Sequence, residues 1–531
     1  MAAIGTILAT VGTGAAALTN VSGAVTYDEG GIAELDLTAG LVGARDLWAC
    51  GFGGRGVDVA LIDTGITPVP GTGRIYNGPD LSFDAQVGGA PYLDAYGHGT
   101  HLASLINGRD PGVTAPPSSA CRSNRINPTA TKDMGFPRVS GFAGMAPDAR
   151  VVNLKTGAAD GAVDVTQVIA QIDWAVQNRT RNGLNIRVLA IPYGVSSTHG
   201  HFRDPLSHAV DVAAANGILV VAAAGNDGTT DTALAYPARN RDVLAVGAAD
   251  RGSSSSTGTD VTTWTVASFS DRGTTQRKPD LLVPAVLIPG LRVPGSYLDT
   301  QTATQGNRLI RGSGTSQATA IVAGVAAQLA QRYPGATVPQ LKNMLVTSSW
   351  RARPGRFVSD AMVLSTNKLL RARPNLALPV PSVNTAGTAS VEPLRSAGTL
   401  AIGEGRLTGD IDVQGRSMAG WEARATARTS WSGGSWMGRV YTGKPTSTGV
   451  PVAPWASSWA GVPWSQVAGF TGTWDGLRWK GDDWSGLRWK GETWSGLRWK
   501  GVAWDGLRWK GTNWDGLRWK GSANWSSATW T

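Results

Sequence analysis

From about residue 57 to 350, short and uniformly apolar runs alternate with stretches whose apolar side chains recur at helical spacing. "VDVALID" (57–63), "ARVVNLKT" (149–156), "IRVLAIPYG" (186–194), "GILVVAAAGN" (217–226) and "DVLAVGAAD" (242–250) are predicted strands. A strand with one face in water alternates apolar with polar; these do not, so both of their faces are covered. Between them, Val165, Val168, Ile169, Ile172 and Val176 keep the spacing of a helix, and a second helix runs from Leu206 to Asn216. It stops at Gly217, where a left-handed C-cap glycine belongs. A third, within "GSGTSQATAIVAGVAAQLAQ" (312–331), is apolar almost all round and is therefore predicted to be buried. Strand–helix alternation of this kind predicts an α/β domain with a doubly wound, mostly parallel sheet flanked by helices.

Beyond 350 the pattern decays into Pro-, Gly-, Ser- and Thr-rich sequence, and then a repeat takes over. From Trp474 the chain carries ten tandem copies of Trp-x-Gly-x-x, and the same phase is present earlier in "WSGGSWMGRVYTGKP" (431–445), with Tyr441 in place of Trp. The expected organisation is an N-terminal segment over 1–44, the α/β domain over 45–350, a linker with degenerate β segments over 351–430, and a repeat region over 431–531. As a strand, "LRWKG" would turn Leu477 and Trp479 one way and Arg478 and Lys480 the other. Such units either stack as a solenoid or form a spacer in which Trp and Arg satisfy one another by stacking.

Charge and composition narrow the picture further. Residues 471–531 hold five Arg and five Lys against five Asp and one Glu, +4 of the chain's +10. A basic surface beside Trp suits an anionic cell-envelope polymer, carbohydrate or nucleic acid, although no motif marks a specific nucleic-acid partner. Hydrophobic residues make up 42% of the 531, ample for a core. No run of 18 strongly apolar residues predicts a transmembrane helix. Residues 1–27 carry no charge and resemble a weak signal sequence with Ser22-Gly23-Ala24 as cleavage site. The missing basic start leaves open a chain that begins further upstream. Cys50 and Cys121 are too few for a zinc site. In an exported protein they would close a loop of about 70 residues, worth roughly 4 kcal/mol.

Four short motifs carry candidate chemistry. "VALIDTGI" (59–66) ends a strand with Asp63, at the carboxyl edge where open α/β sheets place their crevices. "YGHGTHLASLI" (96–106) sets His98 between Gly97 and Gly99 at a helix start. "VVAAAGNDG" (220–228) runs out of a strand to Asn226, and "GTSQAT" sets Ser316 at the start of the buried helix. Each has an ordinary structural explanation taken singly: turn chemistry for Asp-Thr-Gly, capping for Ser316. In the order Asp, His, Asn, Ser they form a constellation.

That order, over about residues 45–350, resembles the subtilisin-like serine peptidases, the subtilase family; "GMAPDARVVNLK" (144–155) adds to the likeness. The resemblance implies a secreted or cell-surface serine endopeptidase. In it Asp63 orients the His98 base, Ser316 attacks, and the Asn226 amide helps to hold the oxyanion. His101 corresponds to the family's second, non-catalytic histidine. No cofactor is implied for the chemistry; calcium is possible by resemblance, but no loop has convincing carboxylate spacing and no metal residue is assigned.

The substrate-lining strand departs from the family pattern, with Pro192, Tyr193 and Gly194 where Ser-Leu-Gly is usual. Peptide substrates in this family add to that strand as a further β-strand. Tyr193 is expected to crowd or line the apolar pocket, with burial in the core as the alternative. Ala223, Ala224 and Gly225 would wall the pocket for the residue before the scissile bond, with Ala235 at its base. Small uncharged walls predict apolar preference. A rival reading is an envelope-binding or adhesion protein that keeps a weakened protease-like scaffold. The 44 residues before the domain are few for the folded pro-region such enzymes carry.

Overall fold

The computed structural model describes most of residues 29–440, with gaps of five residues or more at 86–91, 116–138, 196–200, 252–263, 302–307, 352–361 and 396–400, and short strands between 477 and 520. At its centre is a ten-stranded sheet. Its strands are β1 (Asp58–Asp63), β2 (Arg74–Asn77), β3 (Arg150–Lys155), β4 (Ile186–Ile191), β5 (Leu219–Ala223), β6 (Leu244–Asp250), β7 (Thr265–Val266), β8 (Leu281–Pro284), β11 (Ser349–Arg351) and β12 (Met362–Leu364). They lie in the order β11-β12-β8-β6-β5-β4-β1-β3-β2, with β7 off the side of β6. All pairings are parallel except β11 with β12 and β7 with β6. The separate hairpin of β9 (Ile288–Leu291) and β10 (Leu309–Gly312) is antiparallel.

The uniformly apolar strands are buried on both faces, as their composition requires. Along β1, Val59 and Leu61 enter one core and Ala60 and Ile62 the other; along β4, Val188 and Ala190 part in the same way from Leu189 and Ile191. The first core is closed by α1 (Glu29–Leu41), α2 (Ala44–Ala49), α3 (His98–Asn107), α7 (Thr315–Arg332) and α8 (Val338–Thr347). The second is closed by α4 (Val165–Asn178) and α5 (Pro205–Ala215). The short helix α6 (Tyr297–Gln301) precedes β10. Gly217, past the end of α5, adopts the left-handed backbone (φ 80°) expected of it.

Three expected boundaries need correction. Residues 29–44 belong to the folded domain, because Leu35, Ala39 and Val42 sit in the first core. Glu34 of α1 also pairs with Arg251 and Arg311. The sheet does not stop at 350, since Val363 of β12 pairs in parallel with Leu282 of β8. Nor is 351–430 merely a linker. Val391, Leu394, Val413, Met418 and Trp421 fill the second core, joined by Trp431 and Trp436 of the first Trp-x-Gly-x-x units. The physical reason is that α4 and α5 present more apolar surface than the sheet alone covers. Sequence with no periodicity of its own can still supply scattered anchors.

Those anchors converge on one buried carboxylate. The indole N–H groups of Trp421, on α9 (Trp421–Ala427), and of Trp436 both donate to Asp173 Oδ2 of α4, each at 2.8 Å. The Trp431 indole donates to the Ala170 carbonyl, and its backbone exchanges hydrogen bonds with the Gln177 amide. Within the later repeats, short strands pair in parallel at a fixed offset, Leu487 with Leu507 and Leu497 with Leu517. Side chains there lie outside the described residues. Cys50 is in a disulfide; Cys121, the other cysteine of the sequence, lies outside them as well.

Candidate active site

β1 and β4 are neighbours, and their register sets Leu61 beside Ala190. Asp63 and Pro192 therefore leave adjacent strands at the carboxyl edge of the sheet, and Asn226 leaves that edge three residues past β5. Helices α3 and α7, which carry His98 and Ser316 in their first turns, pack against each other over the first core. Two groups form along that edge: Asp63 with His98, and Ser316 with Pro192 beside Thr315 and Asn226.

The acid end is held on every side. His98 Nδ1 lies 2.9 and 3.0 Å from the two oxygens of Asp63. Asp63 Oδ1 also accepts the Thr64 N–H at 2.7 Å. Both residues are buried. Gly97 turns the chain into α3 with a left-handed backbone (φ 102°), and Gly99 lies against the turn that follows β1: a Cβ there would sit 2.2 Å from the Gly65 carbonyl oxygen. The backbone approach that brings the imidazole onto the carboxylate thus requires a glycine, for want of a side chain.

Sequence reasoning missed the residue that fastens this corner. Asp94, buried, accepts the N–H of Gly97 and Thr100 at 2.7 Å each and the Thr64 hydroxyl at 2.8 Å. Thr64 in turn accepts the Gly99 N–H. Burial pushes the Asp94 carboxyl above its ordinary range, and the Asp63 charge adds to that rise. A carboxylate four residues before a helix-opening histidine was the available signal, since orphan N–H groups of a first turn attract acids. Lys155, the register partner of Asp63 on β3, is also buried and donates to the Leu93 carbonyl.

His101 lies one turn further along α3 and faces the β9–β10 hairpin: added Cβ atoms at Gly290 and Gly312 would meet its ring at 2.6 and 3.0 Å. Burial, with the nearby His98 second, pushes it down to about 3. It is therefore neutral near pH 7, with one ring nitrogen an N–H donor and the other an acceptor.

At the alcohol end, the Ser316 hydroxyl donates to the Pro192 carbonyl at 3.2 Å. The neighbouring Thr315 gives both its N–H (3.1 Å) and its hydroxyl (2.9 Å) to Asn226 Oδ1. An amide has one acceptor end and one donor end. With Oδ1 committed to Thr315, the Nδ2 end is turned the other way and its orientation is fixed. Asp271, a second residue missed from the sequence, holds the loop beyond, accepting the N–H groups of Asp227 and Gly228.

Of the expected pocket residues, Gly194, Ala224, Gly225 and Ala235 come together. Ala235 N–H donates to the Ala224 carbonyl at 2.9 Å, and Cβ atoms added to Gly194 and Gly225 would lie 2.7 and 3.3 Å from the Ala235 methyl. Val195 and Tyr236 exchange backbone hydrogen bonds across the same place. Tyr193 is 3% exposed and sits in the second core, where burial raises its phenol above the ordinary range. Its side chain lies in the core, the alternative foreseen for it. One buried carboxylate does touch these walls: a Cβ at Gly225 would be 2.1 Å from Asp271 Oδ2.

Residues 54–379 match the subtilase family. The chain belongs to that family. Among curated relatives of this subtilase, serine protease AprX of Bacillus subtilis (strain 168) is 34% identical over 327 residues, 60% of this chain and 66% of AprX. The chain thus spans just under two thirds of that relative. Subtilisin DY of Bacillus licheniformis is 29% identical, covering 58% of this chain and 89% of its own, and subtilisin BL of Lederbergia lenta 30%, covering 56% and 84%. Among solved structures, a cold adapted subtilisin-like serine proteinase covers 59% of this chain and 89% of its own at 24% identity and TM-score 0.41. Among the described residues of the subtilase, no group of three or more His, Cys, Asp or Glu is disposed to hold a metal, and no helix is long and apolar enough to cross a membrane.

Proposed function

We propose that the chain hydrolyses peptide bonds as a serine endopeptidase, with Asp63, His98, Ser316 and Asn226 in the roles that the family resemblance gives them. The observation that carries this reading is the pairing of His98 with Asp63, together with a Ser316 whose neighbour Thr315 fixes the Asn226 amide. With Nδ1 donating to Asp63, proton exchange falls to Nε2 of His98. Nε2 takes the Ser316 proton as Oγ attacks the carbonyl carbon. Asp63 stabilises the imidazolium so formed. The oxyanion receives the Asn226 Nδ2–H and the Ser316 N–H, at the start of α7 where the helix dipole also favours negative charge. His98 then returns its proton to the leaving amine, and a water molecule releases the acyl group by the same steps.

The substrate would lie along Pro192–Gly194 as an added strand. Proline gives up one N–H there but keeps its carbonyl. The alanine and glycine walls favour an apolar side chain before the scissile bond; a peptide library with strong preference for Lys or Arg at that position would overturn this part. Export, in keeping with a disulfide at Cys50, and attachment of the basic Trp-rich repeats to an anionic envelope polymer complete the proposal. No cofactor enters the chemistry, and calcium would act only as a stabilising ion. The decisive test is labelling by a fluorophosphonate probe. Labelling lost in both Ser316→Ala and His98→Ala supports the peptidase. A folded protein that never labels sinks it and leaves a scaffold.

A further inference from the structure

At the opposite edge of the sheet, three helices end around one polar cleft. It measures about 470 Å3 and is lined by residues of the α4 end (Val176, Gln177, Arg179, Thr180, Arg181), by Asn216 past α5, and by Ala427 and Arg428 past α9. The lining includes three guanidinium groups and no carboxylate. Its floor belongs to the peptidase domain and its remaining wall to the segment that the Asp173–tryptophan contacts hold in place.

None of the three guanidinium groups enters an ion pair among the described residues. Arg179 Nε is buried with no hydrogen-bond partner, and its side chain enters no ion pair among the described residues. Burial alone pushes Arg179 below its ordinary range; burial, with the Arg179 charge second, does the same to Arg187, whose Nη atoms are spent on the carbonyls of Pro334 and Ala336. Arg428 is held in the left-handed backbone (φ 57°), uncommon for a residue with a side chain. It reaches the Asn216 amide oxygen at 3.3 Å. Helix carboxyl ends carry partial negative charge and explain why arginines are tolerated here. They do not explain an arginine whose buried Nε–H goes unused, because a buried polar atom without a partner is costly.

We propose that this cleft binds a phosphate-class oxyanion, bridging Arg179 and Arg181 of the peptidase domain to Arg428 of the wrapped segment. Guanidinium forks pair two N–H groups with two oxygens of one phosphate. A dianion offsets more of three positive charges than a single carboxylate does. The space exceeds that of a free phosphate and falls within the range of small-molecule sites. A phosphate ester is therefore the expected form, with inorganic phosphate as the smaller source of the same chemistry. Occupancy would tie the C-terminal segment to the domain at a second point, far from Ser316.

The test is calorimetric titration of the full chain carrying Ser316→Ala, so that it stays intact, with glycerol 3-phosphate, inorganic phosphate and acetate at matched ionic strength. Saturable one-to-one phosphate binding is expected, weakened about tenfold or more by Arg179→Gln and by Arg428→Gln. Should the half-buried Arg179 variant fail to fold, Arg181→Gln on the exposed rim keeps the test alive, with about threefold weakening expected. Tighter binding of the ester than of inorganic phosphate assigns the ester as ligand; equal binding assigns the free anion. Absence of saturable binding, acetate binding as well as phosphate, or unchanged affinity in the folded variants would each overturn the proposal. None of these outcomes bears on the peptidase reading, which the fluorophosphonate label tests separately.

Discussion

On one face of the sheet, α3 and α7 bring His98 and Ser316 to the carboxyl edge through short motifs in which every critical residue lies within a few positions of a glycine or a helix start. On the other face, α4 and α5 are covered by residues far later in the chain, anchored by two indoles on one buried carboxylate. The first face uses local backbone geometry to aim reactive groups. The second uses long-range burial to dock a segment with no periodicity of its own. The contrast teaches that a proposed catalytic corner and a docking face can share one sheet while making opposite demands on sequence.

The largest expected effect breaks the first face alone. Ser316→Ala is expected to lower kcat/KM by about 10⁴-fold or more while leaving the thermal midpoint within a few degrees. A loss of fold in step with activity would show that Ser316 matters chiefly as a cap. Next, Asn226→Ala should cost about 10²–10³ in kcat, the size found for this donor in subtilisin itself. Thr315→Val, which removes the hydroxyl that turns the amide, should lower kcat by about tenfold with little change in KM. Equal activity of Thr315→Val and the parent would remove the orienting role argued above.

The second face is sharpened by Asp173. Replacing it with Ala strands two buried indole donors, at about 1–3 kcal/mol each, so urea stability should fall by several kcal/mol and protease nicking near residue 421 should rise. Asp173→Asn keeps an acceptor oxygen and should fold.

The smallest effect is a slope. Burial raises the Asp173 carboxyl to about 6, the indole and Ser430 hydrogen bonds working against it. Its native state therefore keeps a proton that the unfolded chain has lost above about 3.8. The stability Asp173 contributes is complete below that value and disappears as pH rises through about 6. His101, held at about 3, has the opposite sign: the unfolded chain takes a proton below 6.5 and the native state does not, so stability falls as pH drops from there. Between pH 4 and 6 the two oppose each other. Asp173→Asn should therefore steepen the rise of stability with pH by about 1.4 kcal/mol per unit relative to the parent. Parallel curves from urea midpoints at several pH values would show that Asp173 does not titrate in that window.

The α/β class and the buried strands were legible because each rests on local pattern, two-faced apolar runs and a C-cap at Gly217; the proposed site residues rest on short motifs, such as the glycines flanking His98. Asp94 and Asp271 were not, since their partners are backbone N–H groups whose direction exists only once the loops are closed. The end of the domain was misplaced for a related reason. Val363 of β12 earns its place by pairing with Leu282, and Trp421 and Trp436 earn theirs at Asp173, contacts with no sequence period.

Sequence by itself determined the α/β class and which residues are proposed as acid, base, alcohol and amide, because chemistry belongs to residue type and short spacing. Tertiary structure alone decided that Tyr193 turns into the core, that the segment after 350 completes the second core, and that three arginines end around one cleft. Those outcomes depend on which surfaces are left uncovered when distant segments meet, a quantity that no local stretch of chain contains.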